Sequence, residues 1–285
     1  MAENKTTTTP TAKPKKQRFI DKHTIATSII LIFGLLFLSE VMIGGVLGVI
    51  GKFTGQDAAM FGAIGGIVGG VISYVIWRLI FKKDYRPCKF GQDFLKTLKL
   101  SLPILIVWVV LIGIYAYNVK GNPFRMLAAA QIPTALMAGV VEEIIFREIG
   151  VAYLARQYRG ANKFKFIVVF TSILFALSHL INAALGRTFL DVFGQVVLCV
   201  GAGLFYAGIY LHTGNVWPLI LVHALHDVIA FSVALSLDGG KLPVALDLAQ
   251  LLPFFVIGAY GLYLVRKANW DKMNDCWKDK WADIA

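Results

Sequence analysis

Residues 127–153 read LAAAQIPTALMAGVVEEIIFREIGVAY, an apolar stretch of membrane-spanning length that nevertheless contains four charged residues. About 20 apolar residues in a helix that rises 1.5 Å per residue cross the roughly 30 Å hydrocarbon core of a bilayer. On both sides of this stretch, apolar runs of similar length make up most of the chain. The eight runs are 25–48, 58–81, 98–117, 127–153, 164–186, 191–211, 215–236 and 247–266. The sequence therefore predicts an all-α, polytopic membrane protein with about eight transmembrane helices.

The composition leads to the same fold class. Hydrophobic residues make up 57% of the 285 residues and charged residues only 16%, which is too apolar for an ordinary soluble protein. The apolar runs lie too close together for a separate soluble domain. We expect a disordered cytoplasmic tail at 1–23, an eight-helix membrane domain at 24–268 with its catalytic core at about 130–235, and a cytoplasmic tail at 269–285. The last segment places three tryptophans among charges, which fits either a short amphipathic helix or a frayed tail.

The net charge of +11 raises the question of nucleic-acid binding. However, 22 of the 28 lysines and arginines lie in the amino-terminal tail, in the loops 78–99 and 156–165 and in residues 266–285, which eight spans place on one side of the membrane. By the positive-inside rule, both termini then face the cytoplasm. The basic loops therefore indicate membrane topology and attraction to anionic lipid, and we expect no nucleic-acid partner. Short tails and compact loops favour a multi-pass protein of a bacterial plasma membrane.

Glycines recur at helix-packing intervals in two of the runs. Gly62, Gly66 and Gly70 are spaced by four residues, and Gly201 and Gly208 lie in the sixth run. Small residues at such spacing let two helices approach closely in lipid, where packing drives association. We expect both runs to pack through these faces.

The charges of the fourth run are costly in a membrane. Each costs about 2.5–3.5 kcal/mol at bilayer depth, so it must pair, face the protein interior or serve a function. Glu143 and Arg147 are four residues apart and can form an ion pair within one helix. Glu142 is rotated by about 100° from Glu143 and is less easily neutralised, which suits a general base. A purely structural salt-bridge cluster is the alternative, and it is weaker for Glu142 than for the pair.

Histidines on two later runs complete the set of polar groups. His179 ends the segment FALSH, and His223 lies four residues before Asp227, on the same helical face. At 1.5 Å per residue, Glu142 and His179 lie about 20 Å and His223 about 12 Å from the predicted cytoplasmic ends of their spans. These residues can therefore meet inside the membrane. His212, which ends the sixth run, is expected to be only a loop residue.

Three motifs now stand in order on three predicted spans. They are Glu142-Glu143-x-x-x-Arg147, Phe175-x-x-x-His179 and His223-x-x-x-Asp227. Together they resemble the motifs of the CPBP family, which comprises CAAX proteases and bacteriocin-processing enzymes and is also called the Abi family. The resemblance covers about residues 130–235. It implies an eight-helix fold with a polar cavity that opens toward the cytoplasm and the lipid, in which Glu143 and Arg147 organise the site.

The resemblance also implies the catalytic roles. Glu142 is then the general base that activates water, and His179 is its partner. His223 and Asp227 are then the residues that stabilise the oxyanion. One residue departs from the pattern, because prenyl-processing members carry Asn where this chain has Asp227. An ionised Asp cannot donate a hydrogen bond, so Asp227 must be protonated, orient His223 or have another role, and Asn182 is a substitute donor.

A metal-dependent reaction is the alternative mechanism. His179, His223, Asp227 and Glu142 are plausible zinc ligands, since a catalytic zinc needs three protein ligands and a water. The sequence has no His-Glu-x-x-His pattern. We favour hydrolysis without a metal, and zinc stays the alternative cofactor.

The predicted function is that of an intramembrane endopeptidase. Its partners would be membrane lipids and small membrane-associated peptides or proteins, cleaved in bacteriocin self-immunity or in peptide maturation. Two other functions stay open. One is a bacteriocin-immunity protein that binds without cutting. The other is a proton-coupled transporter that uses Glu142, Glu143 and the histidines as a relay.

Overall fold

The computed structural model describes residues 19–119, 124, 126–158, 163–233 and 244–282. Regular structure in these residues is helical, and β-pairing among them is limited to two isolated bridges. The α-helices are α1 (Phe19–Lys22), α2 (Thr24–Leu36), α3 (Val46–Phe53), α4 (Ala58–Ile80), α5 (Phe94–Ser101), α6 (Pro103–Val119), α7 (Gln131–Glu142), α8 (Ala152–Gln157), α9 (Lys163–Ser178), α10 (Ile181–Ala184), α11 (Phe189–Thr213), α12 (Trp217–Ser232), α13 (Val244–Leu264) and α14 (Trp270–Lys280). Two π-helical segments, Phe37–Gly45 and Glu143–Val151, join α2 to α3 and α7 to α8, and a 3-10 turn, Lys267–Asn269, precedes α14.

Five helices in the described part of the chain are long and apolar enough to span a membrane. They are Thr24–Phe53, Ala58–Ile80, Phe94–Ile114, Lys163–Ala184 and Phe189–Thr213. The pair Leu251–Leu264 and Lys267–Lys280, bent by 51°, makes a sixth if it is counted as one span. The all-α, multi-pass prediction is confirmed, whereas the count of eight stays a prediction. The helix through 131–157 is too charged, and α12, with 16 residues, too short, to qualify on apolarity and length.

Helix ends gather at two faces of the bundle. At one face the C-terminal helix α14 docks on the ends of other helices: Trp277 Nε1 donates to the Leu211 carbonyl at 2.8 Å, and Trp281 Nε1 donates to the Ala152 carbonyl at 3.1 Å. The loop between α4 and α5 joins this contact through a bridge between Tyr85 and Trp281. We call this the basic face, because it carries the loops rich in lysine and arginine. At the opposite face, Phe124 pairs with residue 233.

The two predicted tails can be described only in part. Most of the 1–23 tail lies outside the described residues, and its end forms α1. Residues 270–280 are helical, which agrees with the amphipathic-helix reading of the C-terminal segment. Trp277 and Trp281 are fully buried against the protein rather than facing outward. His212, expected in a loop, instead lies in the last turn of α11.

The glycines pack as expected. A Cβ on Gly66 would lie 2.7 Å from the Met137 Cγ atom, so the predicted face of α4 fits closely against α7. A Cβ on Gly208 would lie 2.3 Å from the Gly261 carbonyl oxygen, and α11 and α13 therefore touch backbone to backbone. Both faces are used within the chain.

Packing density differs between the two halves of the bundle. Every residue from Glu143 to Arg156 is buried, so the half of the bundle near the basic face is tightly packed. The second half of α11 is almost entirely buried as well, while residues 189–200 in its first half are mostly exposed or half-buried. The polar residues singled out in the sequence lie at the boundary between these halves.

Candidate active site

The paired glutamates lie where a regular helix changes its winding. Glu142 is the last residue of α7, and Glu143 is the first residue of the π-helical segment that follows. Wider π-helical turns occur frequently at functional sites, since they re-aim side chains that a regular helix would place elsewhere. Here Glu143 is fully buried, while Glu142 keeps about 15% of its side chain exposed.

Glu143 is the centre of a buried polar cluster. Its Oε1 atom lies 2.7 Å from His223 Nδ1 and 3.2 Å from the Arg147 guanidinium. The ion pair predicted between Glu143 and Arg147 is therefore present. The guanidinium also lies over the Phe175 ring, 4.5 Å from its centroid, and 5.4 Å from the centroid of Tyr206. Burial of a charge requires such partners, and this cluster fixes the imidazole of His223.

Glu142 faces both histidines that the sequence predicted to be catalytic. Its Oε2 atom is 3.6 Å from His223 Nε2, and its Oε1 atom is 4.0 Å from His179 Nε2. His179 Nδ1 lies 2.9 Å from the Phe175 carbonyl oxygen, which can only accept, so Nδ1 is the donor. In both histidines Nδ1 is occupied by a protein acceptor, and Nε2 is directed toward Glu142.

Asp227 lies between two histidines. Its Oδ1 atom is 4.0 Å from His223 Nε2 and 4.0 Å from His226 Nδ1. Neither distance is that of a direct hydrogen bond. His226 directly precedes Asp227 in the chain, and its ring packs against Trp108 and Phe254.

The predicted catalytic residues open into one cavity of about 480 Å³. It is lined by Glu142, His179, His223, Asp227 and Asn182, whereas Glu143 and Arg147 lie behind its wall.

Two further polar contributions to the cavity were not found from the sequence. Glu40, from the first π-helical segment, lines the cavity wall, and an acid in an otherwise apolar run was the available signal. Gln195, from α11, accepts hydrogen bonds from Asn182 at 2.9 Å and from Arg187 at 3.1 Å. One N–H of Asn182 is therefore already used, which weakens its candidacy as a free oxyanion donor.

A different group of side chains meets the donor requirement of a metal site. Among the described residues, His223, His226 and Asp227 each bring a ligand atom within 4.8 Å of the others. Two ligands about 2.1 Å from a tetrahedral zinc lie about 3.4 Å apart. The gaps of 4.0 Å that join Asp227 to each histidine are wider than that. The donor types fit zinc, but their spacing is looser than that of a formed zinc site.

Near the site, two tyrosines bind Glu148, the third glutamate in the helix that carries Glu142 and Glu143. Tyr85 donates to Glu148 Oε1 at 2.8 Å, and Tyr210 donates to Oε2 at 2.6 Å. Burial and the nearby Glu148 charge raise the pKa of Tyr85 well above its ordinary value, so its hydroxyl stays a donor. Glu148 is thus a structural acid near the basic face and takes no part in the cavity.

A comparison with known protein families finds a match in the segment that carries the three motifs. Residues 123–229 match the family model described as type II CAAX prenyl endopeptidase Rce1-like, and this range includes all three motifs. No curated protein and no solved structure matches the chain. The match covers 107 of the 285 residues and supports the resemblance to the CPBP family of CAAX-type proteases.

Proposed function

We propose that this protein is an intramembrane endopeptidase in which Glu142 and His179 activate a water molecule. The observation that carries the proposal is the 4.0 Å separation between Glu142 Oε1 and His179 Nε2 at the cavity wall. This distance is too long for a direct hydrogen bond, yet one water about 2.8 Å from both atoms can bridge them. Such a water is held by two groups that can accept its protons.

The reaction follows from this placement. Glu142 takes a proton as the water oxygen attacks the carbonyl carbon of the scissile peptide bond, and the carbonyl oxygen becomes an oxyanion. When the C–N bond breaks, Glu142 returns the proton to the leaving amine nitrogen, so that water is consumed and one acid and one amine are formed. General base catalysis of this kind contributes about 10²–10⁴-fold to the rate.

His223 is the proposed donor to the oxyanion. Glu143 accepts from Nδ1 at 2.7 Å, and Nε2 faces the cavity. A His223 protonated on both nitrogens donates from Nε2, and the Glu143 carboxylate balances its charge. Loss of one preorganised oxyanion donor costs about 10²–10³-fold in kcat. Asp227, 4.0 Å from the same nitrogen, makes no direct hydrogen bond to it and has only a weak electrostatic effect in this scheme.

Small membrane-associated peptides or proteins are the proposed substrates, and a bacterial plasma membrane with both termini in the cytoplasm is the proposed location. The membrane helices and the protease family support this scheme, and the uneven distribution of basic loops supports the orientation. Bacteriocin self-immunity and peptide maturation are the biological roles that such a peptidase could serve.

Zinc-dependent hydrolysis is the competing mechanism. His223, His226 and Asp227 would hold the ion, and zinc would supply a polarised water. In that case Glu143 would fix the ring of His223 through its Nδ1 atom, as partners of metal-bound histidines commonly do. A chelator and metal analysis of the purified protein separate the two mechanisms.

The test is cleavage of a mixed library of membrane-associated peptides by the purified protein in detergent. We expect cleavage by the wild type, insensitive to a chelator, and none by Glu142→Ala or His179→Ala variants that elute as folded protein. Peptide binding without cleavage, unchanged in these variants, would support the immunity-protein alternative. Proton-driven uptake into sealed vesicles, lost in Glu142→Gln, would support the transporter.

A further inference from the structure

We propose that Glu40 determines specificity in the cavity, and that it selects peptide segments with a lysine or arginine close to the scissile bond. This inference rests on the proposed peptidase function for the reaction, and on the wall of the cavity for the choice of side chain. Glu40 belongs to none of the three motifs and reaches the cavity from the first π-helical segment, Phe37–Gly45.

Glu40 is an acid in an apolar helix. In the span Thr24–Phe53 the other charged residue is Lys52, which lies close to the end of the span. Acids inside a membrane segment are costly, and they almost always pair with another group, face a polar cavity or serve a function. Glu40 lines the cavity, so the remaining question is which group it binds there.

The backbone that carries Glu40 is held against α4. The Ser39 hydroxyl donates to the Leu35 carbonyl at 2.8 Å, and its oxygen lies 2.9 Å from the Ser73 hydroxyl oxygen. A Cβ on Gly69 would lie 2.5 Å from the Ser39 Cα, so the two helices touch closely at this point. Consecutive residues of a helix point in different directions, and Ser39 therefore faces α4 while Glu40 faces the cavity.

Glu40 lacks a cationic partner in the part of the chain that the structure describes. No lysine, arginine or histidine nitrogen there lies within 4.0 Å of its carboxylate oxygens. Glu142 and Asp227, the other two acids of the cavity wall, each lie within 4.0 Å of two histidines. The guanidinium of Arg187, which also lines the cavity, donates to Gln195 instead. A cation from the substrate would supply the partner that Glu40 lacks.

The surroundings of Glu40 fit a long side chain with a charged end. Leu36, four residues earlier on the same helical face, and Met137 from α7 give the wall an apolar part. Lysine and arginine lay their aliphatic stems on such surfaces and keep the charged group at a polar site. The carboxylates of Glu40 and Glu142 are close enough for their charges to interact. A cation bound at Glu40 therefore lies near the proposed general base.

Another wall residue has an unused hydrogen-bond donor. Trp108 lines the cavity and is only 5% exposed, and its Nε1 atom has no hydrogen-bond partner among the described residues. An indole N–H can only donate, so it requires an acceptor such as a peptide carbonyl. An unpaired acid and an unpaired donor in one cavity together match a peptide backbone that carries a basic side chain.

The cation site can be tested without cleavage. The probe is n-butylammonium, which is the lysine side chain without its backbone, and butan-1-ol is the uncharged control. Thermal unfolding in one detergent is followed in Glu142→Gln, which has one acid fewer at the site, and in the double variant Glu40→Gln, Glu142→Gln. We expect n-butylammonium to raise the unfolding midpoint of Glu142→Gln by at least about 1 °C more than butan-1-ol does, and to lose this advantage in the double variant.

Substrate selection is measured with peptides that the wild type cleaves. Each is remade with lysine or norleucine at one position at a time, since norleucine keeps the four-carbon stem without the charge. We expect one position near the scissile bond where lysine gives at least about tenfold higher kcat/KM than norleucine, through a lower KM. Glu40→Gln should reduce this ratio to near one, whereas the matched variant Glu148→Gln should keep it.

The outcomes separate this inference from the peptidase itself. An advantage of n-butylammonium that is absent in Glu142→Gln, or that persists when Glu40 is also replaced, would overturn the cation site. Cleavage with no Glu40-dependent preference for lysine would overturn the inference and leave the peptidase intact. Stabilisation by n-butylammonium that depends on Glu40, in a protein that cleaves no peptide, would refute the peptidase and leave the cation site intact.

Discussion

Removal of Glu143 should separate the stability of the buried cluster from its chemistry. Glu143 binds His223 at 2.7 Å and Arg147 at 3.2 Å, and all three side chains are almost completely buried. In Glu143→Gln, the guanidinium of Arg147 loses its ionic partner in a low-dielectric interior. Breaking a buried pair from one side typically costs about 3–5 kcal/mol, because an uncompensated charge remains. We expect a loss of this order in the free energy of unfolding.

The double variant Glu143→Gln, Arg147→Met removes the orphaned charge. Methionine keeps the aliphatic length of arginine beneath the rings of Phe175 and Tyr206, so packing is largely retained. Replacement of a buried ion pair by apolar groups is often close to neutral, and we therefore expect the double variant to regain about 2 kcal/mol or more relative to Glu143→Gln. Peptidase activity should not return, because His223 still lacks the carboxylate that balances its charge.

The assay is a double-mutant cycle of thermal unfolding midpoints in one detergent, with cleavage rates measured on the same four preparations. The predicted result is a favourable coupling in stability together with lost cleavage in both variants that lack Glu143. Additive stability effects would refute the ion pair as the element that holds the cluster. Recovery of cleavage in the double variant would refute the proposed support of His223 by Glu143.

Three further predictions address other contacts. Asp227→Asn should keep kcat/KM for cleavage within about tenfold of the wild type, because no direct hydrogen bond of Asp227 to the histidines is lost. A loss of more than about a thousandfold would show that catalysis needs the charge of Asp227. Gly208→Ala should lower the free energy of unfolding by about 1–3 kcal/mol, because its Cβ would lie 2.3 Å from a backbone oxygen. Gly194→Ala on the same helix, with open space around it, should have no such effect. Equal effects of the two substitutions would contradict the close helix contact. Tyr85→Phe should lower the free energy of unfolding by about 1–3 kcal/mol, because the hydrogen bond to Glu148 is lost. The raised pKa of Tyr85 makes the wild type lose stability as pH rises past about 10, and the variant should lose less over the same pH range. The same dependence of stability on pH in both proteins would contradict this prediction.

The sequence predicted those features of the fold that depend on local spacing. Apolar runs predicted the membrane helices, and the interval of four placed Glu143 beside Arg147. Residue rise along the predicted spans placed Glu142, His179 and His223 inside the membrane, about 12–20 Å from the ends of their spans. Each of these follows from the geometry of one helix and the thickness of a bilayer. The family resemblance then named the roles.

Contacts between distant segments were not predictable in this way. Spacing within a motif does not tell which acid meets which histidine, and the structure gives the short contact with His223 to Glu143 rather than to Glu142. Glu40 reaches the cavity from a helix a hundred residues earlier, which only tertiary packing decides. Lys280 likewise lies buried with its ammonium near the rings of Tyr85 and Trp277, although its sequence context is that of an exposed tail.

The central claim, that Glu142 is the base for peptide hydrolysis, is tested most directly by the cleavage rates of Glu142→Gln and Glu148→Gln. Both substitutions neutralise an acid in the same charged helix, but Glu142 lines the cavity and Glu148 binds two tyrosines near the basic face. With a peptide that the wild type cleaves, and with folding checked by gel filtration, we predict at least about a hundredfold lower rate for Glu142→Gln and near wild-type turnover per folded molecule for Glu148→Gln. Equal rates for Glu142→Gln and the wild type would contradict the claim.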